Sequence, residues 1–161
     1  MALSTTQSVW RSGGGDQTRT AYCGSMVMQA QFYVANVAAT STKVQVSSTD
    51  TRNIILPPNA VVTEITIATT TSTGGSSPTV DFGYTLYGAG TSVTDALAQE
   101  MPCDSVNMTN ANHTSGASLN KVVSATDSMY ITCGKGASSA TSGTLVGSIR
   151  YYVADDGQQN V

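Results

Sequence analysis

The stretch that decides the fold is residues 79–86, TVDFGYTL, in which apolar side chains alternate with polar or small ones. Val80, Phe82, Tyr84 and Leu86 lie on one side of the chain if it is extended. Successive side chains of a β-strand point to opposite faces, so this spacing of two predicts a strand that is buried on one side.

The same period of two recurs along most of the chain. We expect six further strands, bounded by Gly, Ser, Asn or Pro, at residues 26–34, 42–48, 54–56, 61–69, 128–133 and 144–153. Within them, Val44 and Val46 are predicted to face inward, and Val61, Ile65 and Ile67 are predicted to share one face. Short strands at this spacing are typical of an antiparallel sandwich or barrel, which we place at residues 21–154.

One segment has a different spacing. In residues 94–101, Thr94 can cap a helix, Asp95 suits the positive end of the helix dipole, and Leu97 and Met101 are four residues apart. We therefore predict one short helix at residues 94–101.

The two ends of the chain are more polar than the middle. Residues 1–20 carry Trp10, Arg11 and Arg19 around three consecutive glycines, which predicts a flexible arm that orders on a partner surface. A frayed terminus is the alternative interpretation. Residues 155–161, DDGQQNV, are predicted to form a polar tail.

The composition excludes several classes of function. Charged residues make up 11% of the 161, against roughly 25% in an average domain, and only seven are Lys or Arg, with a net charge of -3. We therefore expect no nucleic-acid partner. No run of about 18 apolar residues occurs, and the N-terminus lacks the basic start and apolar middle of a signal peptide, so we expect neither a membrane partner nor Sec export.

Cys23, Cys103 and Cys133 are far apart in sequence and show no metal-binding or redox spacing. We expect them to be small buried apolar groups in a reducing compartment. A single disulfide with one thiol left over remains the alternative.

The sequence offers little for catalysis. His113, the only histidine, lies in the polar stretch 107–116, which we predict to be an exposed loop. The GKG sequence at residues 134–136 lacks the rest of a phosphate-binding loop and predicts a turn after a strand. Asp81 and Glu64 could form a carboxylate pair for glycoside cleavage, but both are predicted to face solvent. We expect no catalytic residue, no cofactor and no metal, and a protein that is not an enzyme.

What remains is a weakly charged surface with tyrosines on the polar faces of strands. Tyr33, Tyr130 and Tyr152, together with Arg150, are candidates for an interface, because aromatic residues and Arg are enriched where proteins meet and other charges are depleted. Trp10, Arg11 and Arg19 of the arm complete the predicted contact set. Tolerated exposure of a few tyrosines is the alternative.

Three stretches carry a resemblance to a known family. They are IILPPNAVVTEITI at residues 54–67, with the Thr/Ser/Gly loop after it, TVDFGY at 79–84 and LVGSIRYYV at 145–153. Over roughly residues 20–154 the chain resembles the small jelly-roll decoration, or cement, proteins of tailed-bacteriophage capsids. Neither the glycine-hinged arm nor residues 94–101 belong to the resemblance.

The resemblance implies a two-sheet β-sandwich with jelly-roll topology that forms a homotrimer. It also implies a place in the virion, on the outer surface of the head, where the protein binds the major capsid protein and stabilises the assembled shell. The family has no catalytic residues. We therefore expect a capsid-stabilising structural protein.

Two other functions remain open. One is a carbohydrate- or receptor-binding module of a phage tail or fibre, which would use aromatic faces to stack on sugars. The other is a sandwich-type hydrolase acting through Asp81 or Glu64.

Overall fold

A computed structural model of the chain describes residues 27–71, 73–103, 108–111, 118–138 and 140–154. The strands in these residues are β1 (Met28–Val34), β2 (Thr42–Lys43), β3 (Ile55–Leu56), β4 (Ala60–Thr69), β5 (Thr79–Leu86), β6 (Ser92–Pro102), β7 (Met108–Ala111), β8 (Met129–Lys135) and β9 (Leu145–Val153). The described residues contain no helix, so the all-β class predicted from the sequence is confirmed. The predicted arm and tail, residues 1–20 and 155–161, lie outside the described residues.

The strands form two antiparallel sheets. The first sheet has the order β1-β9-β4-β7, and the second has the order β2-β8-β5-β6, with β3 also paired to β8. Every pairing is antiparallel.

One hydrophobic core is shared by both sheets. The Phe32 ring of β1 meets the Phe82 ring of β5 edge to face, with 5.4 Å between ring centroids. Both side chains are almost fully buried, as are Ile149 of β9 and Ile131 of β8. Burial of one such side chain contributes about 1.5–3 kcal/mol, so the alternation seen in the sequence supplies the main stabilising term of the fold.

The turn between β3 and β4 follows from its sequence. Neither Pro57 nor Pro58 has an N–H for the β-ladder, so β3 ends at Leu56, as the sequence predicts. Asn59 has a φ of 60°, and the Ala60 N–H donates to the Pro57 carbonyl at 3.3 Å. A left-handed Asn after Pro is the pattern of a type II turn, which starts β4 directly.

The helix predicted at residues 94–101 is wrong, because these residues lie within β6. The pairing of β6 with β5 is irregular: Val80 faces Met101, Phe82 faces Ala98 and Tyr84 faces Val93. Extra residues therefore bulge out of β6, which breaks the period of two. Three consecutive residues, 96–98, are buried, and the resulting spacing imitates that of a helix.

Two side chains predicted to face the core do not. A β-bulge between Val62 and Glu64 shifts the phase of β4, so that Val62 lines the shared core with Ile65 and Ile67. Val61 is buried outside that cluster, where it forms a bridge with Val122. Val46 is exposed because the chain leaves the sheet there, with the Val46 N–H donating to the Arg52 carbonyl at 2.8 Å. Val44, in contrast, is buried as predicted.

The loop predicted at residues 107–116 is wrong in part, because Met108–Ala111 form β7, which pairs with β4. The outcomes for the cysteines and for the turn at 134–136 differ. Cys103 and Cys133 are buried thiols, and Cys23 lies outside the described residues. The turn predicted at 134–136 begins too early, since Gly134 and Lys135 still pair with Asp81 and Val80 of β5. No helix in the described part of the chain is long and apolar enough to cross a membrane.

Candidate functional site

The predicted interface residues do not form one surface. Tyr33, Arg150 and Tyr152 alternate with core residues of β1 and β9, so they lie on the outer face of the first sheet. Tyr130 lies between the buried Met129 and Ile131, on the outer face of the second sheet. The core separates these two faces, and Trp10, Arg11 and Arg19 lie outside the described residues. Two separate candidate surfaces therefore result.

On the first sheet, three strands in register arrange their outward side chains in rows across the sheet. Each row takes one residue from β1, one from β9 and one from β4. The rows are Tyr33–Val146–Ala68, then Gln31–Ser148–Thr66, then Gln29–Arg150–Glu64. The chemistry therefore changes along the strands, from apolar, through neutral polar, to an ion pair beside an amide.

The first two rows form the centre of a groove of about 660 Å³. On the β1 side, residues 46–48 form its wall, held in place where the Gln45 and Tyr33 backbones exchange hydrogen bonds of 2.8 Å. At one end of the groove, the Thr70 and Thr144 hydroxyls form a hydrogen bond of 2.6 Å. The residues that line this outer-face groove are Gln29, Gln31, Phe32, Tyr33, Val46, Ser47, Ser48, Thr66, Ile67, Ala68, Thr70, Thr144, Val146, Gly147 and Ser148.

None of the described residues that line the groove carries a formal charge. Two pairs of charged groups lie nearby in the described part of the chain: Arg150 Nη1 donates to Glu64 Oε2 at 2.9 Å, and Arg52 Nε donates to Asp50 Oδ1 at 3.0 Å. Hydrogen bonds from Arg52 lower the pKa of Asp50 to about 2, so this carboxylate is ionised at neutral pH. The groove therefore presents a neutral surface.

The second sheet carries an exposed aromatic patch, defined here as Lys43, Ile55, Tyr87 and Tyr130. The Tyr87 and Tyr130 rings are 5.4 Å apart, and the Lys43 Nζ lies 3.9 Å from the Tyr130 ring centroid. Ile55, opposite Tyr130 in the ladder, is 48% exposed, and Tyr87 is 65% exposed. A cation over an aromatic ring stabilises both side chains, so the aromatic patch is an ordered surface with much of its apolar area in water.

The carboxylates of the second sheet have structural roles. Glu100, at a φ of 52° in the bulged part of β6, accepts from the Thr79 hydroxyl at 2.6 Å and the Ala137 N–H at 2.7 Å. These bonds lower its pKa. Asp81 accepts from the Glu100 N–H at 2.7 Å, while burial raises the pKa of Asp81. Together the two side chains fix the bulge of β6 to β5 and to the segment after β8.

The carboxylate pair suggested by the sequence does not form. Glu64 belongs to β4 in the first sheet and bonds Arg150, whereas Asp81 belongs to β5 in the second sheet. Burial raises the pKa of the Cys133 thiol, which keeps it protonated and unreactive. Among the described residues, no cluster of His, Cys, Asp and Glu could hold a metal ion, and His113 lies outside them.

Sequence reasoning found Tyr33 but missed the groove around it. The alternation of Gln29, Gln31 and Tyr33 signals only that they share the outer face of one strand. Their neighbours Val146 and Thr66 come from strands far away in sequence, and their registers cannot be read from a single strand. The aromatic patch was missed for the same reason, apart from Tyr130.

No protein-family model matches the chain, and neither the curated proteins nor the solved structures include a significant match. The two surfaces are therefore the basis for a proposed function.

Proposed function

We propose that the two sheets form a sandwich of the jelly-roll type. β2 and β3 follow one line along β8, with Lys43 opposite Thr132 and Ile55 opposite Tyr130, and residues 45–53 form an excursion between them. If β2 and β3 count as one interrupted strand, the described chain has eight. The first sheet then contains strands 1-8-3-6 and the second contains 2-7-4-5. This order agrees with two Greek keys wrapped around one core.

We further propose that the protein is a virion structural protein that binds the outer surface of an assembled phage head and stabilises it. The observation that carries this proposal is the aromatic patch. Tyr is enriched among residues that dominate protein interfaces, and a patch on a rigid sheet loses little entropy when it binds. Its partner is the major capsid protein, in accordance with the resemblance of residues 54–67 and 145–153 to decoration proteins.

Stabilisation follows from mass action. A protein that binds only the assembled shell lowers the free energy of that state by RT ln(1 + [L]/Kd) for each occupied site. A homotrimer on a three-fold axis would join three copies of the aromatic patch, so that weak contacts add as avidity. The low charge of the chain reduces repulsion between neighbouring copies.

The test is co-sedimentation of the purified chain with heads of the virus that encodes it, stripped of outer proteins. The unaltered chain should bind as a trimer by light scattering, and the heads should withstand higher temperature once occupied. Tyr87→Ser and Ile55→Ser should each weaken binding about tenfold or more, the loss expected of a hot-spot residue.

The matched control is Val153→Ser, which removes an exposed apolar side chain from the first sheet. It should leave head binding unchanged. A monomeric chain that does not sediment with heads would overturn the proposal, and so would equal binding by Tyr87→Ser and the control.

A further inference from the structure

We propose that the outer-face groove of the first sheet binds an uncharged oligosaccharide. This inference concerns the sheet opposite the aromatic patch and does not depend on binding to a phage head. Its basis is a groove of ligand size with neutral polar side chains around an apolar floor.

The dimensions of the groove suit a small ligand. Its volume of about 660 Å³ lies within the range of roughly 300–1,000 Å³ that is common for small-molecule sites. The floor and rim are built mainly by strands in continuous register, so the geometry is fixed before a ligand arrives. A preformed site avoids much of the entropic cost of binding.

The row Tyr33–Val146–Ala68 gives the groove an apolar floor with one aromatic ring. Val146 is 38% exposed, so apolar area is open to solvent at the centre of the sheet. A pyranose ring has an apolar face of C–H groups and a rim of hydroxyls. The apolar row matches the face of such a ring, and stacking on an aromatic ring is favourable for it.

The outward side chains of β1, one from each of the three rows, supply neutral hydrogen-bonding groups. The Gln29 and Gln31 amides and the Tyr33 hydroxyl make no side-chain hydrogen bond to another described residue, so they can bind a ligand without breaking a bond within that part of the protein. Each amide donates and accepts at once, as a sugar hydroxyl does. The Thr66 and Ser148 hydroxyls, in contrast, already form a hydrogen bond of 2.8 Å with each other, which connects β4 to β9 beneath the groove.

The described lining residues carry no charge, which favours a neutral sugar over a charged one. A sialic acid, uronate or sulfated glycan would be desolvated here without a cationic partner, because Arg150 and Arg52 are already paired with Glu64 and Asp50. Burial of an unpaired charge is costly. A neutral glycan loses only hydrogen bonds to water, which the amides and hydroxyls of the groove replace.

The experiment is native gel electrophoresis of the full chain in gels cast with one soluble polysaccharide each. The neutral polymers are dextran, mannan, galactan and xylan, and the anionic polymers are polygalacturonate and heparin. At least one neutral polymer should retard the protein, neither anionic polymer should do so, and the matching free oligosaccharide should abolish the retardation.

Two variants localise the site. Gln31→Ala and Tyr33→Ala should each reduce affinity for the retarding polymer about tenfold or more, and Gln31 is exposed, so its replacement leaves the core intact. Tyr87→Ala, the same residue type on the opposite sheet, is the control and should bind as the unaltered chain does. Circular dichroism verifies that each variant is folded.

Three results would overturn the proposal: no retardation by any neutral polymer, equal retardation by the anionic ones, or unchanged binding by Gln31→Ala. Because head binding is measured through Tyr87 and Ile55, the failure of one proposal does not imply failure of the other.

Discussion

The contact between the Phe32 and Phe82 rings tests the fold most directly, because it joins the first sheet to the second. Each ring is almost fully buried. Replacement of either by Leu removes a few buried carbons and should cost about 1–2 kcal/mol from transfer and cavity terms. In a domain of this size, that loss lowers the Tm by roughly 2–8 °C.

The double variant shows whether the rings interact. An edge-to-face pair contributes about 0.5–1.5 kcal/mol beyond area burial, so Phe32→Leu combined with Phe82→Leu should destabilise by less than the sum of the two single losses. The measurement is urea unfolding of the full chain followed by far-UV circular dichroism, with the m-value checked for constancy. The control is Val153→Ala at an exposed position. Its effect on the free energy of unfolding should add to that of Phe82→Leu.

Additive losses for the two phenylalanines, within about 0.3 kcal/mol, would refute the contact between them. If either single variant lowers the free energy of unfolding by less than about 0.5 kcal/mol, the replaced ring is not buried as described. The first result would remove the direct contact between the sheets at these two rings, and the second would place that ring outside the core.

Two further predictions concern single positions. Burial and the nearby Glu100 carboxylate raise the pKa of Asp81 above its unfolded value, so its ionisation destabilises the native state as pH rises through the folded pKa. Asp81→Asn keeps an acceptor for the Glu100 N–H and should raise the Tm at neutral pH. It should not raise the Tm at about pH 3, which is below the pKa of Asp in the unfolded chain. A gain in Tm that does not depend on pH would contradict this prediction. Gly147→Ala should cost about 1–3 kcal/mol in urea unfolding, because the added Cβ would collide with the Thr66 carbonyl oxygen and the Phe32 ring; a loss below about 0.5 kcal/mol would show that this region is looser than described.

The strands could be predicted from the sequence wherever the period of two is unbroken. In β5, the apolar residues from Val80 onward face the core as expected. Alternate side chains of a regular strand point to the same face, so the apolar set is buried together. The same holds for β8 and for Phe32 and Val34 of β1.

Two of the failures, at Val61 and at residues 94–101, share one physical cause, the β-bulge. An extra residue at Thr63 turns Val61 away from the core, and the larger bulges of β6 bring Leu97 and Met101 to the core at the spacing of a helix. A bulge is defined by what the partner strand leaves unpaired, so a single strand does not reveal it. The positive φ of Glu100 marks one such place, yet Glu is no signal for that conformation.

The candidate sites were harder to predict because each is built across strands. Tyr33 and Tyr130 were both expected to be exposed, but their sequence positions do not indicate that the core separates them. The register of β9 against β1 and β4 brings Gln31, Ser148 and Thr66 together. That register depends on long-range packing, which the local pattern does not determine.

The first and last strands of the described chain are direct neighbours, and Met28 lies opposite Tyr151. Residues 27 and 154 are therefore attached to the same pole of the domain, so a fluorescent protein or affinity tag joined directly to residue 27 or 154 would project from that pole. A short linker could close the chain into a circle there, and new ends could be opened at the exposed turn around Gly88, where backbone cleavage would disturb little of the interior.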